Sequence, residues 1–133
     1  MKRMVHLVGG AFLGAGLTAC VFAVSAAKVS PPQDPVKLSP QYYKVLLEND
    51  KVRVLEYRLR PGGKELMHSH PGGILHGFNE TKLRSTLPGG EVTESSGKPG
   101  DVFWRDPVTH ALENIGETEV HSLAVEVKSP CKQ

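Results

Sequence analysis

The sequence predicts one all-β domain, a sandwich or barrel of short strands, behind an N-terminal segment of different character. Strand-like runs recur about every ten residues after position 50, with Gly or Pro at nearly every junction. Past position 40, no window of about a dozen residues shows a clean helical period. A chain of 133 residues, 39% hydrophobic and 23% charged, has the length and balance of a single ordinary globular unit.

Taken in order, residues 1–27 read as an export segment. Lys2 and Arg3 supply the positive start, and Val5 to Ala19 is apolar or small except for His6 and Thr18. Ser25-Ala26-Ala27 offers small residues for cleavage. Three versions stay open. The segment is a signal peptide cleaved after Ala27, or Leu17-Thr18-Ala19-Cys20 is a lipobox that makes Cys20 a lipid anchor, or Met4 to Ala27 is an uncleaved span. The apolar run Val21 to Ala27 speaks against the lipobox. All three put the domain outside the cytoplasm, in a bacterial periplasm or secreted, touching membrane only through this segment. Cys131 is then the one remaining thiol, with no neighbouring base to activate it.

Residues 28–40 are expected as a linker held extended by Pro31, Pro32, Pro35 and Pro40. Residues 41–133 form the domain. The net charge of +2 comes from Lys2 and Arg3, so the rest is neutral and has no basic stripe. That excludes nucleic acid as a partner.

Within the domain, Val52 to Arg60 alternates, with Arg53, Leu55, Tyr57 and Leu59 on one face. Glu65 to His70 follows the turn Pro61-Gly62-Gly63 and places Leu66, His68 and His70 together. Further strands are expected over Ile74 to Phe78, Lys82 to Leu87, Glu91 to Ser95, Val102 to Trp104, His110 to Asn114 and Val120 to Lys128. Tyr57, Phe78, Phe103 and Trp104 are expected to line the interior.

The chemistry lies in His68, His70 and His110. A His-x-His pair on a strand aims both imidazoles to one face, and a third joins them if the sheet closes on itself. Imidazole suits zinc, copper, iron and nickel. Asn114, four residues after His110, shares its face and either contacts a ligand or closes the turn before Gly116. Arg58, Arg60, Arg84 and Arg105 would clamp a carboxylate if any pointed inward; alternation turns Arg58 and Arg60 outward. His121 reads as a hydrogen-bonded wall residue and Glu113 as solvent-facing. Neither a nucleophile motif nor a phosphate loop is present.

Residues 50–128 resemble the cupins, small double-stranded β-helix or jelly-roll barrels. Gly62 to His70 is similar to the first half of the first cupin motif, Gly-x5-His-x-His-x3-4-Glu-x6-Gly. Gly100 to Asn114 is similar to the second, Gly-x5-Pro-x-Gly-x2-His-x3-Asn, with Pro107 one residue late and Thr109 replacing a glycine. The resemblance implies a metal held by His68, His70 and His110, a divalent transition ion (Fe, Mn, Zn, Ni or Cu). It also implies a small-molecule ligand and admits a homodimer. Two functions are compatible with it: a metal-dependent dioxygenase or isomerase acting on a small polar molecule, or a non-catalytic module that binds a small ligand or metal. One departure stands out. The Glu of the first motif falls on Gly73, Ile74 or Leu75. His76 faces inward if Ile74 does, where it could replace that Glu, and outward if the missing Glu corresponds to Gly73.

Overall fold

A computed structural model describes residues 33–128. The segment expected to direct export, Cys20 and Cys131 lie outside the described residues. The described residues form a short helix α1 (Pro35–Leu38) and nine strands: β1 (Tyr43–Glu48), β2 (Val52–Leu59), β3 (Lys64–His70), β4 (Gly73–Gly77), β5 (Thr81–Thr86), β6 (Val92–Gly97), β7 (Val102–Arg105), β8 (Val108–Asn114) and β9 (Val120–Val127). They make two antiparallel sheets, ordered β1-β2-β9-β4-β7 and β3-β8-β5-β6.

The expected strands are all present, with ends shifted by up to two residues. The turns carry the residues that placed them. Gly63 N–H donates to Arg60 O across Pro61-Gly62, and Asp101 N–H donates to Lys98 O across Pro99-Gly100. Gly62 and Gly100 have φ of 72° and 88°, the left-handed backbone that a Pro-Gly turn requires at its second central position.

Two elements were not expected. β1 escapes an alternation test because its pairing with β2 slips between Val45 and Leu47, so Leu46 and Leu47 break the period. The linker expected over residues 28–40 gives way to ordered chain at its end. Asp34 caps α1 by accepting from Val36 N–H, with Pro35 following as the first helical residue. Arg53 then clasps Asp34 with two hydrogen bonds of 3.0 and 3.1 Å.

The interior is unusually polar for so small a unit. Its apolar part is Tyr43, Leu55, Tyr57, Leu59, Val120 and Ala124, centred on β2 and β9. Beside it are buried Glu65, His68, His70, His110, Asn114 and Glu126. Buried polar groups must be paired or else destabilise the fold, so site and core depend on each other here.

Three expectations about faces are corrected. Leu66 does not share a face with His68: it is 70% exposed, while Glu65 is 3% exposed. The pairing of β3 with β8 slips between Glu65 and His68, and the extra residue reverses the alternation. Trp104, Phe103 and Phe78 are half-exposed and lie outside the packed interior; Trp104 Nε1 donates to Asp106, and Phe78 packs between the edge of His76 and the tilted ring of His121. Finally, no ring closure is needed to bring in the third histidine. β8 pairs directly with β3, and His68 and His110 are cross-strand partners.

Candidate metal centre

The three histidines converge. Their ring nitrogens offer one ligand atom each within 4.8 Å of one another, and all three side chains are buried. Ring centroids lie 4.7 Å apart for His68 and His70 and 4.9 Å apart for His68 and His110. The backbone explains the convergence: His68 and His70 are i, i+2 on β3, and His110 is paired opposite His68.

Each imidazole has its far nitrogen engaged. His68 Nδ1 lies 2.7 Å from Leu66 O, a carbonyl turned toward the ring at the β3 irregularity. His70 Nδ1–H donates to Glu126 Oε1 at 2.6 Å. His110 Nδ1 is 3.2 Å from Ser85 Oγ. An Nδ1–H donated outward leaves the lone pair on Nε2, and such partners fix the tautomer and aim of metal-binding histidines. The inward atoms are poorly served without a cation. His110 Nε2 has no hydrogen-bond partner among the described residues. His68 Nε2 and His70 Nε2 face each other at 2.9 Å, where two lone pairs repel unless a cation lies between them. Donor type, convergence and the unpartnered nitrogen all fit a transition metal.

Burial keeps His70 and His110 neutral and hence available as ligands. Burial pushes His70 down to about 4, even though Glu126 and its hydrogen bond oppose that fall. Burial likewise pushes His110 down to about 3, helped by the neighbouring His68, His70 and Arg105. Burial alone would raise the Glu126 carboxyl, but hydrogen bonds from His70 and Arg53 outweigh it and hold Glu126 below the usual carboxylate range. The pair therefore stands as neutral imidazole donating to carboxylate. Beneath His68, Tyr43 and Tyr57 hydroxyls donate to Glu65 Oε2 at 3.1 and 2.8 Å. Burial drives the Glu65 carboxyl upward, toward the protonated form.

The missing fourth ligand is resolved by register. Gly73 on β4 pairs with Glu126 on β9 and Arg105 on β7. Since Glu126 faces inward, so does Gly73, and the alternation turns Ile74 and His76 outward. His76 does not replace the Glu; it packs edge-to-face against Phe78 with centroids 4.9 Å apart. A Cβ at Gly73 would overlap the Val125 carbonyl oxygen, so the strands pack too closely there for any side chain.

Of the remaining candidates, Asn114 closes the β8–β9 turn. Its amide donates to Leu59 O and Thr118 O at 2.8 Å each, and its oxygen accepts from Gly116 N–H. His121 bonds Glu56 on the outer face, as a wall residue does. Arg58 pairs with Glu56 and Glu119, and Arg84 with Glu94 and Glu113, all at the surface. Arg105 alone of the four considered arginines points inward. Sequence reasoning missed Glu65, Glu126, Tyr43 and Ser85; only the inward alternation of Glu126 with Ala124 along β9 could have suggested one of them.

A cavity of about 430 Å³ opens against the centre. His70, His110 and Arg105 reach it, and so do Leu75, Leu83, Phe103, Leu112, Val120 and Ala124. A centre opening onto a mostly apolar cavity with a few convergent polar groups has the form of a small-molecule site.

The fold class follows from this architecture and is matched by solved structures. A cupin-domain protein from Bordetella pertussis superposes with a TM-score of 0.60 at 24% identity, covering 75% of this chain and 99% of its own. A double-stranded β-helix protein from Klebsiella pneumoniae gives 0.52 at 23% identity over 64% and 74%. An RmlC-like cupin from Methanocaldococcus jannaschii gives 0.52 at 18% identity over 66% and 80%. No family model and no curated protein matches the chain. The chain is thus a cupin by fold, a double-stranded β-helix with a three-histidine cluster able to hold a metal.

Proposed function

We propose that this chain is an exported cupin that holds one divalent transition metal on His68, His70 and His110 and presents it to a small molecule in the adjoining cavity. The observation that carries the reading is the pattern of nitrogens: three Nε2 atoms converge while every Nδ1 is engaged elsewhere. A metal held by three neutral imidazoles keeps its full charge and would polarise an oxygen ligand as a Lewis acid. The protein's part is orientation and exclusion. Glu126 fixes His70, Ser85 fixes His110, and the apolar walls limit water around the bound molecule.

Among enzymes, this donor set favours isomerase-type polarisation over a dioxygenase of the two-histidine, one-carboxylate kind, because position 73 has no carboxylate. The non-catalytic alternative is favoured by one observation. Glu65 and Glu126, the buried carboxylates near the centre, are already committed to the two tyrosines and to Arg53 and His70. Glu65 Oε1 has no hydrogen-bond partner, but neither Glu65 nor Glu126 lines the cavity, so among the described residues no buried carboxylate faces a bound molecule.

Metal analysis after reconstitution tests the centre. The parent should retain close to one equivalent, and His68→Ala, His70→Ala and His110→Ala should each lower occupancy steeply. A parent that binds none would reduce the domain to a metal-free barrel. Export is tested by fusing residues 1–27 to a reporter. Cys20→Ser should detach the reporter from membrane if Cys20 is lipidated and change nothing if the segment is simply cleaved. A reporter kept in the cytoplasm would remove the export reading.

A further inference from the structure

A row of residues crosses the inner face of the larger sheet: Arg53 on β2, Glu126 on β9, Gly73 on β4 and Arg105 on β7, each paired with the next. The two arginines are treated very differently. Arg53 is saturated: its Nε and Nη2 reach Glu126 at 2.8 and 2.7 Å, and Nη1 clasps Asp34. Arg105 makes no side-chain hydrogen bond among the described residues. Its Nε and Nη2 are sealed from solvent without a partner, and its nearest carboxylate oxygen, Glu126 Oε1, is 3.7 Å away and already taken by His70. The side chain is 16% exposed, and what it faces is the cavity.

A buried guanidinium with no hydrogen-bond acceptor and one carboxylate at 3.7 Å is only partly neutralised, which leaves its open donor Nη1 suited to an anionic ligand. Elsewhere the cavity wall is largely aliphatic and aromatic, with Leu83, Leu112 and Phe103 among its members. We propose that Arg105 is the specificity-determining residue of this cavity and that the ligand is a small carboxylic acid with an apolar body. With Nε and Nη2 sealed, Nη1 is the donor left to the cavity, and its charge-assisted N–H favours a carboxylate oxygen over a neutral amide or alcohol. This deepens the metal-site reading by naming the ligand class of the same cavity, and it rests on that reading only in sharing the cavity.

The test uses calorimetric titration of the whole exported domain, zinc-loaded and metal-free, with two pairs of probes: phenylacetate against phenylacetamide, and 4-methylpentanoate against 4-methylpentanamide. At least one acid should bind about tenfold or more tighter than its amide in both metal states. Arg105→Gln should erase that preference, Arg105→Lys should retain part of it, and zinc stoichiometry should be unchanged in both. Equal binding of acid and amide by the parent, which needs no variant, overturns the inference while leaving the metal site standing. A preference seen only with zinc, and surviving in Arg105→Gln, also overturns it, since the anion would then be anchored on the metal. An Arg105-dependent preference in a protein that takes up no zinc would support the inference and defeat the metal reading instead.

Discussion

Removing metal should make the domain acid-sensitive well above the pH at which carboxylates titrate. His70 is held neutral down to about 4 and His110 down to about 3, both chiefly by burial, whereas in the unfolded chain each titrates at 6.5. Between 6.5 and about 4 the unfolded chain therefore binds more protons than the folded one, and stability falls as pH falls. Each pH unit in that window costs about 1.4 kcal/mol per histidine. At pH 5 the two together remove on the order of 4 kcal/mol, against a total of roughly 5–15 kcal/mol for a domain of this kind. Glu126, held below its ordinary value, adds a loss only at lower pH, as the pH falls through its folded value. Glu65 is held high, so its contribution is full below 4.5 and is lost as pH rises; it partly offsets the histidines.

Urea unfolding of chelator-treated protein at pH 7.5, 6.5, 5.5 and 5.0 measures this slope. His110→Leu isolates one of the two terms, because it removes the titration while keeping an apolar filling. Its stability should fall about half as steeply as the parent's between pH 6.5 and 5. Parallel curves for parent and variant would show that His110 takes up its proton equally in both states, and the burial argument would be wrong.

Three further outcomes follow from particular contacts. Gly73→Glu, which restores the cupin motif on paper, should destabilise the domain by about 1–3 kcal/mol or more in chemical denaturation and should not tighten metal, because the Val125 carbonyl occupies the space of its Cβ. His76→Ala should leave metal stoichiometry and affinity at the parent's values by metal titration, since that ring lies on the outer face against Phe78. Asn114→Ala should cost about 2–4 kcal/mol, because Leu59 O, Thr118 O and Gly116 N–H all lose a buried partner, while zinc uptake at fixed folded protein stays near one equivalent.

The fold was legible because its signals are local. Pro-Gly turns and period-2 runs sit within a few residues of each other, so eight strands could be placed from the chain alone. The helix at Pro35 was written just as locally, in the Asp34-Pro35 cap, but four prolines in ten residues argued more loudly for extended chain. Leu66 and Glu65 were misassigned for a different reason. Alternation propagates an error: one extra residue in β3 exchanged the faces of everything before it, and nothing in Glu65-Leu66-Met67 announces that residue.

The ligands themselves were legible for the same reason the strands were, since His68 and His70 share a face by period alone. What surrounds them was not. Glu126 lies 56 residues from the His70 it orients, and Arg53 lies 73 residues from Glu126. Such contacts depend on which strand neighbours which, and that order is a property of the two sheets, not of any window of sequence. The question of the fourth ligand shows the limit well. His76 faces outward only because Gly73 lies opposite Glu126, and a slip of one residue in the β4–β9 pairing would have turned His76 into the barrel. The close approach of β9 at Gly73 is what excludes both a glutamate there and a histidine in its place.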